Sequence, residues 1–103
     1  MKVKIPFKEQ FREAMINGGK TYTSRTKQYR KGGDTFDAFG HTFQIRECHR
    51  MSLRTVAFAY YKEEGCELPS DFIEIWEKIH PRKGFVPTQW VYVHVFERMK
   101  VSR

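Results

Sequence analysis

Cysteine is scarce in this sequence of 103 residues, and long apolar runs are absent. The two cysteines, Cys48 and Cys66, are too few and too irregularly placed for a disulfide framework or a CxxC redox pair, so we expect two free thiols. No run approaches the roughly 20 apolar residues of a membrane span. The first residues, MKVKIPFKEQF, also lack the apolar core of a secretion signal. We therefore expect a cytoplasmic protein with no membrane partner.

What is present suits a single folded domain that spans residues 1–103. The length is near the commonest domain size, and 40% of the residues are apolar, including nine phenylalanines, which is enough to build a core. The formal net charge of +7 attracts polyanions and anionic small molecules, with nucleic acid the first partner to consider. We expect a monomer without a cofactor.

No acidic residue lies between Glu13 and Asp34, where the chain reads NGGKTYTSRTKQYRKGG over residues 17–33. Cations in such a segment suit phosphate groups, and tyrosine rings among them offer stacking faces for bases. The alternative is a solvated basic edge strand, because lysine and arginine commonly protect the edges of sheets. The cations and rings concerned are Lys20, Arg25, Lys27, Arg30 and Lys31 with Tyr22 and Tyr29.

The first half of the chain predicts one helix and three short strands. Apolar residues at helical spacing from Phe7 to Met15, followed by Gly18, predict a first helix. Alternation over 21–26 predicts a strand, with Thr23 and Arg25 on one face and Ser24 on the other. Residues 36–39 and 42–49 then read as a hairpin with Phe43 and Ile45 facing the core.

The second half predicts two helices and a buried strand. Ser52 suits the N-cap of a helix that ends near Gly65, and Ser70 suits the N-cap of another that stops before Pro81. The nearly continuous apolar run WVYVHVFE predicts a central strand that is buried on both faces. The order of elements favours an α+β fold with a small, curved or barrel-like sheet.

Several short motifs together resemble the ASCH family, the activating signal cointegrator homology domains. They are NGGKTYTSRT with the following GD, the EEG at 63–65, the helix that ends in HP, and the last strand VYVHVFE. The resemblance spans nearly the whole chain. It implies a PUA-like β-barrel of five or six strands with packed helices, and a cleft that accepts RNA or a modified nucleoside.

One branch of that family hydrolyses the amide of N4-acetylcytidine with a lysine, a threonine and a glutamate. The resemblance places these roles on Lys20, Thr23 and Glu64, with Glu63 as the alternative for the acid, and matches the family arginine to Arg25. Residues three apart in a regular strand point to opposite faces, about 10 Å apart along the chain. Lys20 must therefore leave the strand, which Gly18 and Gly19 permit.

Two functions follow, and the sequence leaves both open. The first is a module that binds RNA or a nucleoside without chemistry, and the alternative is the amidohydrolase. Without the resemblance, Thr23 reads as an ordinary strand residue, Lys20 as a surface cation and Glu64 as a solvated acid. No metal site is expected, and His94 either lines the cavity or is a buried, hydrogen-bonded histidine. The ligand-binding candidates are Gly19, Tyr22, Arg25, Lys27, Arg30 and Arg82.

Overall fold

The computed structural model describes residues 2–29 and 33–99, so the ligand-binding candidate Arg30 lies outside the described residues. Three helices and four strands are found in that part of the chain. The helices are α1 (Arg12–Asn17), α2 (Leu53–Ala59) and α3 (Pro69–Ile79), and the strands are β1 (Tyr22–Arg25), β2 (Thr35–Ala38), β3 (His41–Ser52) and β4 (Trp90–Arg98).

The strands form one curled antiparallel sheet in the order β1-β4-β3-β2. The predicted hairpin of β2 and β3 is confirmed, as is the central position of β4. The expected five or six strands are wrong, because the sheet has four within the described ranges. The N-terminal segment adds only an isolated bridge between Lys2 and Thr35, and Pro6 in that segment has no N–H to donate to a ladder. The sheet therefore stays open at β1.

Strand β4 contributes to two apolar clusters, one on each face of the sheet. Val91 and Val93 pack with α2 and α3, whereas Phe96 packs inside the curl of the sheet. Alternate side chains of a strand point to opposite faces, so a strand covered on both sides has a nearly continuous apolar sequence. The first cluster contains Leu53, Val56, Ala57, Phe72, Trp76, Val91 and Val93, and the second contains Ile5, Met15, Phe36, Phe43, Ile45 and Phe96.

The first two helices are shorter than the sequence predicts. A 3-10 turn over Glu9–Phe11 precedes α1, which ends as predicted at Gly18 with φ +86°. Ser52 caps α2 as predicted, and its hydroxyl accepts a 3.2 Å hydrogen bond from the Thr55 backbone N–H. The helix ends at Ala59, and the chain continues in turns to Gly65.

Helix α3 begins one residue before Ser70, which is therefore not its cap. Leu68 holds that position, and its backbone N–H donates a 3.0 Å hydrogen bond to the Asp71 carboxylate. Pro69 at the first helical position has a fixed φ and lacks the N–H that would go unpaired there. No helix in the described ranges is long and apolar enough to span a membrane.

Candidate functional site

A cleft of about 410 Å³ runs along β1, the edge strand of the sheet. Pro6 and Phe7 of the N-terminal segment form one side, and Trp76 and Ile79 of α3 form the other. The three catalytic candidates, Lys20, Thr23 and Glu64, all line this cleft, together with Arg25, Lys27, Ser24, Tyr29 and Cys66.

Lys20 lies before β1 begins, as the spacing argument requires. Its backbone N–H donates to the carbonyl of Ala14, so the residue is tied to the end of α1 rather than to the sheet. The side chain is only 3% exposed. Its Nζ donates to the Tyr22 carbonyl at 2.7 Å, to the Glu64 carbonyl at 2.9 Å and to Glu64 Oε1 at 3.2 Å. Burial lowers the pKa of Lys20, and the charge of Glu64 opposes that shift.

Of the two adjacent acids, Glu64 is the one whose carboxylate contacts Lys20. The backbone carbonyl of Glu63 accepts hydrogen bonds from the N–H groups of Thr21 and Tyr22 at 2.8 and 2.9 Å. These two bonds fix the turn after α2 against the start of β1. They leave the side chain of Glu64 buried beside the lysine.

Thr23 is buried in β1, and its hydroxyl faces Arg25. Arg25 Nε donates to Thr23 Oγ1 at 3.2 Å, and Arg25 Nη2 donates to the Pro6 carbonyl at 2.6 Å. The guanidinium also lies over the ring of Phe7, with its Cζ 4.9 Å from the ring centroid. Arg25 therefore holds the N-terminal segment over the cleft and places a fixed positive charge beside the threonine hydroxyl.

His94 is fully buried below this part of the cleft and has a structural role. Its Nε2 accepts a hydrogen bond from the Tyr29 backbone N–H at 3.1 Å, so the proton of the neutral ring is on Nδ1. Nδ1 donates to the Thr23 carbonyl at 3.3 Å. Burial lowers the pKa of His94, which keeps the ring neutral. The ring joins β1 to the segment that carries Tyr29, and it is a hydrogen-bonded core histidine rather than a lining residue.

The ligand-binding candidates are only partly brought together. Lys27 lines the cleft, and its Nζ lies 4.9 Å from the centroid of the Tyr29 ring. Among the described residues, Gly19, Tyr22 and Arg82 are not part of the cleft lining. The ring of Tyr22 instead packs against a tyrosine at the end of α2, and Arg82 is exposed on the loop after α3.

Sequence reasoning missed two components of the cleft. The first is Ser24, whose hydroxyl donates a 2.6 Å hydrogen bond to Glu64 Oε2. The second is the uncovered part of the apolar face of α3, where Ile79 is 46% exposed at the edge of the cleft. The apolar spacing of a helix indicates which face points inward, but not whether that face packs against side chains or lines a cavity.

Both cysteines are free thiols, as expected. Cys66 lines the cleft, and burial raises its pKa to about 11, so it is a neutral thiol at physiological pH. Within residues 2–29 and 33–99, no three His, Cys, Asp or Glu side chains are grouped so that they could hold a metal ion.

Solved structures of low sequence identity share this fold. The ASCH domain from Lactobacillus crispatus JV V101 is similar with a TM-score of 0.74, over 94% of this chain and 77% of that one, at 10% identity. The hypothetical protein PH0355 is similar with a TM-score of 0.75, over 96% and 100% of the two chains, at 14% identity. Protein EF3133 from Enterococcus faecalis V583 is similar with a TM-score of 0.63, over 87% and 67%, at 16% identity.

No protein-family model and no curated protein matches the chain. At the identities of the structural matches, the likeness concerns the fold. The chain has the fold of an ASCH domain, as the sequence resemblance implied, with four strands in the described residues rather than five or six.

Proposed function

We propose that this protein is an ASCH-type amidohydrolase that removes the acyl group from N4-acylated cytidine, with N4-acetylcytidine as the reference substrate. One observation carries the proposal. In the described part of the chain the buried polar or charged residues are Lys20, Thr23, Glu64 and His94, and the first three line one cleft. Burying an ion pair is costly, and ionisable groups with perturbed pKa values in a cleft are typical of catalytic sites.

The contact between Lys20 and Glu64 suits a proton exchange that prepares the site. In the ion pair, the ammonium donates three hydrogen bonds and has no lone pair with which to act as a base. Transfer of one proton from Nζ to Oε1, across 3.2 Å, produces a neutral amine and a carboxylic acid in a single step. The lowered pKa of Lys20 favours this transfer.

No direct hydrogen bond joins Lys20 Nζ to Thr23 Oγ1 among the described residues. In the first half-reaction, the Lys20 amine therefore takes the proton of the Thr23 hydroxyl through one bridging water as Oγ1 attacks the acyl carbon. The guanidinium of Arg25, which already contacts Oγ1, stabilises the oxyanion. The bond between the acyl carbon and N4 breaks, and Glu64 gives its proton to the departing amino group of cytidine. The acyl group is then an ester of Thr23, and Lys20 and Glu64 are an ion pair again.

In the second half-reaction, Glu64 takes a proton from water as the water attacks the ester. Lys20 returns a proton to the Thr23 oxygen, and the free carboxylic acid leaves. Both groups are then neutral, as they were before the attack, so the cycle is balanced without a metal or a cofactor. The volume of about 410 Å³ suits a single nucleoside. The rings of Phe7, Tyr29 and Trp76 supply faces for the base.

The test is the release of cytidine from N4-acetylcytidine by the purified protein. We expect Lys20→Ala and Thr23→Ala each to lower kcat by at least about a hundredfold, the range in which acid–base groups contribute. Lys62→Ala removes an exposed cation outside the cleft and serves as the matched control. Absence of turnover in the wild type, or turnover that persists in both cleft variants, would refute the proposal.

A second candidate function, nucleic-acid binding without chemistry, is favoured by a row of cations stacked on aromatic rings. Lys27 and Arg25 lie over Tyr29 at the cleft, and Arg50 lies over the rings of Trp90 and Tyr92 at 5.8 and 5.7 Å. Tyr92 is the partner of Arg25 on one side and of Arg50 on the other, so these side chains share one face of the sheet. Such pairs suit phosphates and unstacked bases.

Titration with single-stranded RNA at several salt concentrations tests this second candidate. Arg25→Gln and Lys27→Gln should each weaken binding and flatten its salt dependence. With one phosphate contact fewer, binding of the RNA releases fewer counterions. Lys62→Gln changes the net charge equally, away from the cleft. Equal effects of all three substitutions would show that only net charge matters and would exclude a specific surface.

A further inference from the structure

Both oxygens of the Glu64 carboxylate accept a hydrogen bond, one from a lysine and the other from a serine. Lys20 Nζ donates to Oε1 at 3.2 Å, and Ser24 Oγ donates to Oε2 at 2.6 Å. The second bond is the shorter of the two, and a hydroxyl that approaches an ionised carboxylate at this distance makes a strong hydrogen bond. The final torsion of a glutamate side chain is soft, so a single bond would leave the carboxylate free to turn.

The position of Ser24 on an edge strand explains how it reaches this carboxylate. Thr23 and Ser24 are consecutive in β1, so their side chains point to opposite faces. Both nevertheless line the cleft, which runs along the edge of the sheet formed by β1. The threonine hydroxyl meets the guanidinium of Arg25, and the serine hydroxyl meets Glu64.

We propose that Ser24 is a positioning residue, which acts through Glu64 by holding Oε2 so that Oε1 stays directed at Lys20. The inference rests on the proposed amidohydrolase function and assigns a residue that the sequence resemblance leaves out. The proton exchange between Lys20 and Glu64 depends on the short distance between Nζ and Oε1. A carboxylate that turns away from Nζ loses that path, while the nucleophile Thr23 and the cleft stay in place.

The kinetic test compares Ser24→Ala with Ser24→Thr, using release of cytidine from N4-acetylcytidine. For Ser24→Ala we expect kcat to fall by about tenfold or more, while KM changes by less than about twofold, because the hydroxyl contacts Glu64 rather than the substrate. Ser24→Thr keeps a hydroxyl in a strand that tolerates β-branched residues, so it should restore most of kcat. Ser70→Ala removes an exposed serine hydroxyl from α3 and is the matched control.

Two kinetic outcomes would overturn the inference while leaving the amidohydrolase intact. A kcat of Ser24→Ala equal to the wild-type value would show that the carboxylate does not need its second anchor. A loss as complete as that of Thr23→Ala would give Ser24 a catalytic role of its own rather than a positioning one.

An NMR measurement separates this inference from the proposed function, because it needs no turnover. The three hydrogen bonds of the buried Lys20 ammonium slow its proton exchange, so its side-chain ¹H–¹⁵N signal can be followed. We expect Ser24→Ala to shift or broaden that signal and Ser24→Thr to preserve it. An unchanged signal in Ser24→Ala would overturn the positioning role even if the wild type proved inactive on N4-acetylcytidine.

Discussion

Replacement of Lys20 by methionine should destabilise the protein far more than an average substitution. The change removes one charge of a pair whose side chains are 3% and 5% exposed, and it leaves Glu64 buried without its counterion. It also removes the donor from the carbonyls of Tyr22 and Glu64. Breaking such a pair from one side costs about 3–5 kcal/mol. A domain of this size has a total stability of about 5–15 kcal/mol, and each kcal/mol corresponds to about 4–8 °C in melting temperature.

The double variant Lys20→Met with Glu64→Leu should recover that loss, because no charge then remains in the low-dielectric cleft. Replacement of a buried ion pair by apolar residues is often neutral or stabilising by about 1–4 kcal/mol. Urea unfolding of the wild type, both single variants and the double variant gives the four free energies of a double-mutant cycle. A double variant as unstable as the sum of the two single changes would refute the reasoning, since it would mean that the ion pair adds no coupling and that apolar replacement does not relieve the site.

Three further predictions test other parts of the structure. The pKa of His94 lies below its ordinary value of 6.5, so on acidification the unfolded chain binds a proton before the folded one does. The free energy of unfolding should therefore fall as the pH falls below about 6.5. His94→Gln should make this pH dependence shallower in urea titrations at about pH 7 and about pH 5. Gly65 has φ +91°, and an added Cβ would lie 3.1 Å from Lys20 Cβ, so Gly65→Ala should cost about 1–2 kcal/mol in urea unfolding and perturb the NMR signals of Lys20. Phe43→Ala should cost about 3–5 kcal/mol because the ring is fully buried, whereas Phe58→Ala, at a ring that is 56% exposed, should stay within about 0.5 kcal/mol; equal losses by urea unfolding would contradict the assigned core.

Local chemistry was sufficient to predict most of the elements. The glycine at position 18, the serine cap at 52 and the apolar run of β4 each act over a few residues, and each prediction is confirmed. The predicted N-cap of α3, Ser70, was wrong because Pro69 and Asp71 together provide a better start one residue earlier. Pro69 takes the first helical position, and the Asp71 carboxylate accepts the N–H of Leu68. The strand count was wrong because it came from the family resemblance, whereas pairing of the N-terminal segment depends on contacts distant in sequence.

The candidate site was predictable only in part, for a similar reason. Composition and spacing placed cations and hydroxyls in one segment, but nothing local distinguishes Lys20 from Lys27 or Thr23 from Ser24. Lys20 is buried and Lys27 is exposed because of what packs over each side chain. The resemblance selected Lys20, Thr23 and Glu64, and these are also the buried polar residues that line the cleft. Ser24 had no signal of its own, since its role depends on a carboxylate 40 positions away.

The site depends on how the turn that carries Glu64 is paired with the start of β1, next to Lys20. Lys20 lies just before β1, so its side chain can extend along the start of the strand to the Tyr22 carbonyl instead of pointing to one fixed face. Glu64 reaches the same point only because the Glu63 carbonyl receives two backbone hydrogen bonds from the start of β1. A shift of one residue in that pairing would bring Glu63 or Gly65 to the place of Glu64. The register of the turn against the strand, and not the strand alone, is therefore what assembles the acid, the amine and the hydroxyl in one cleft.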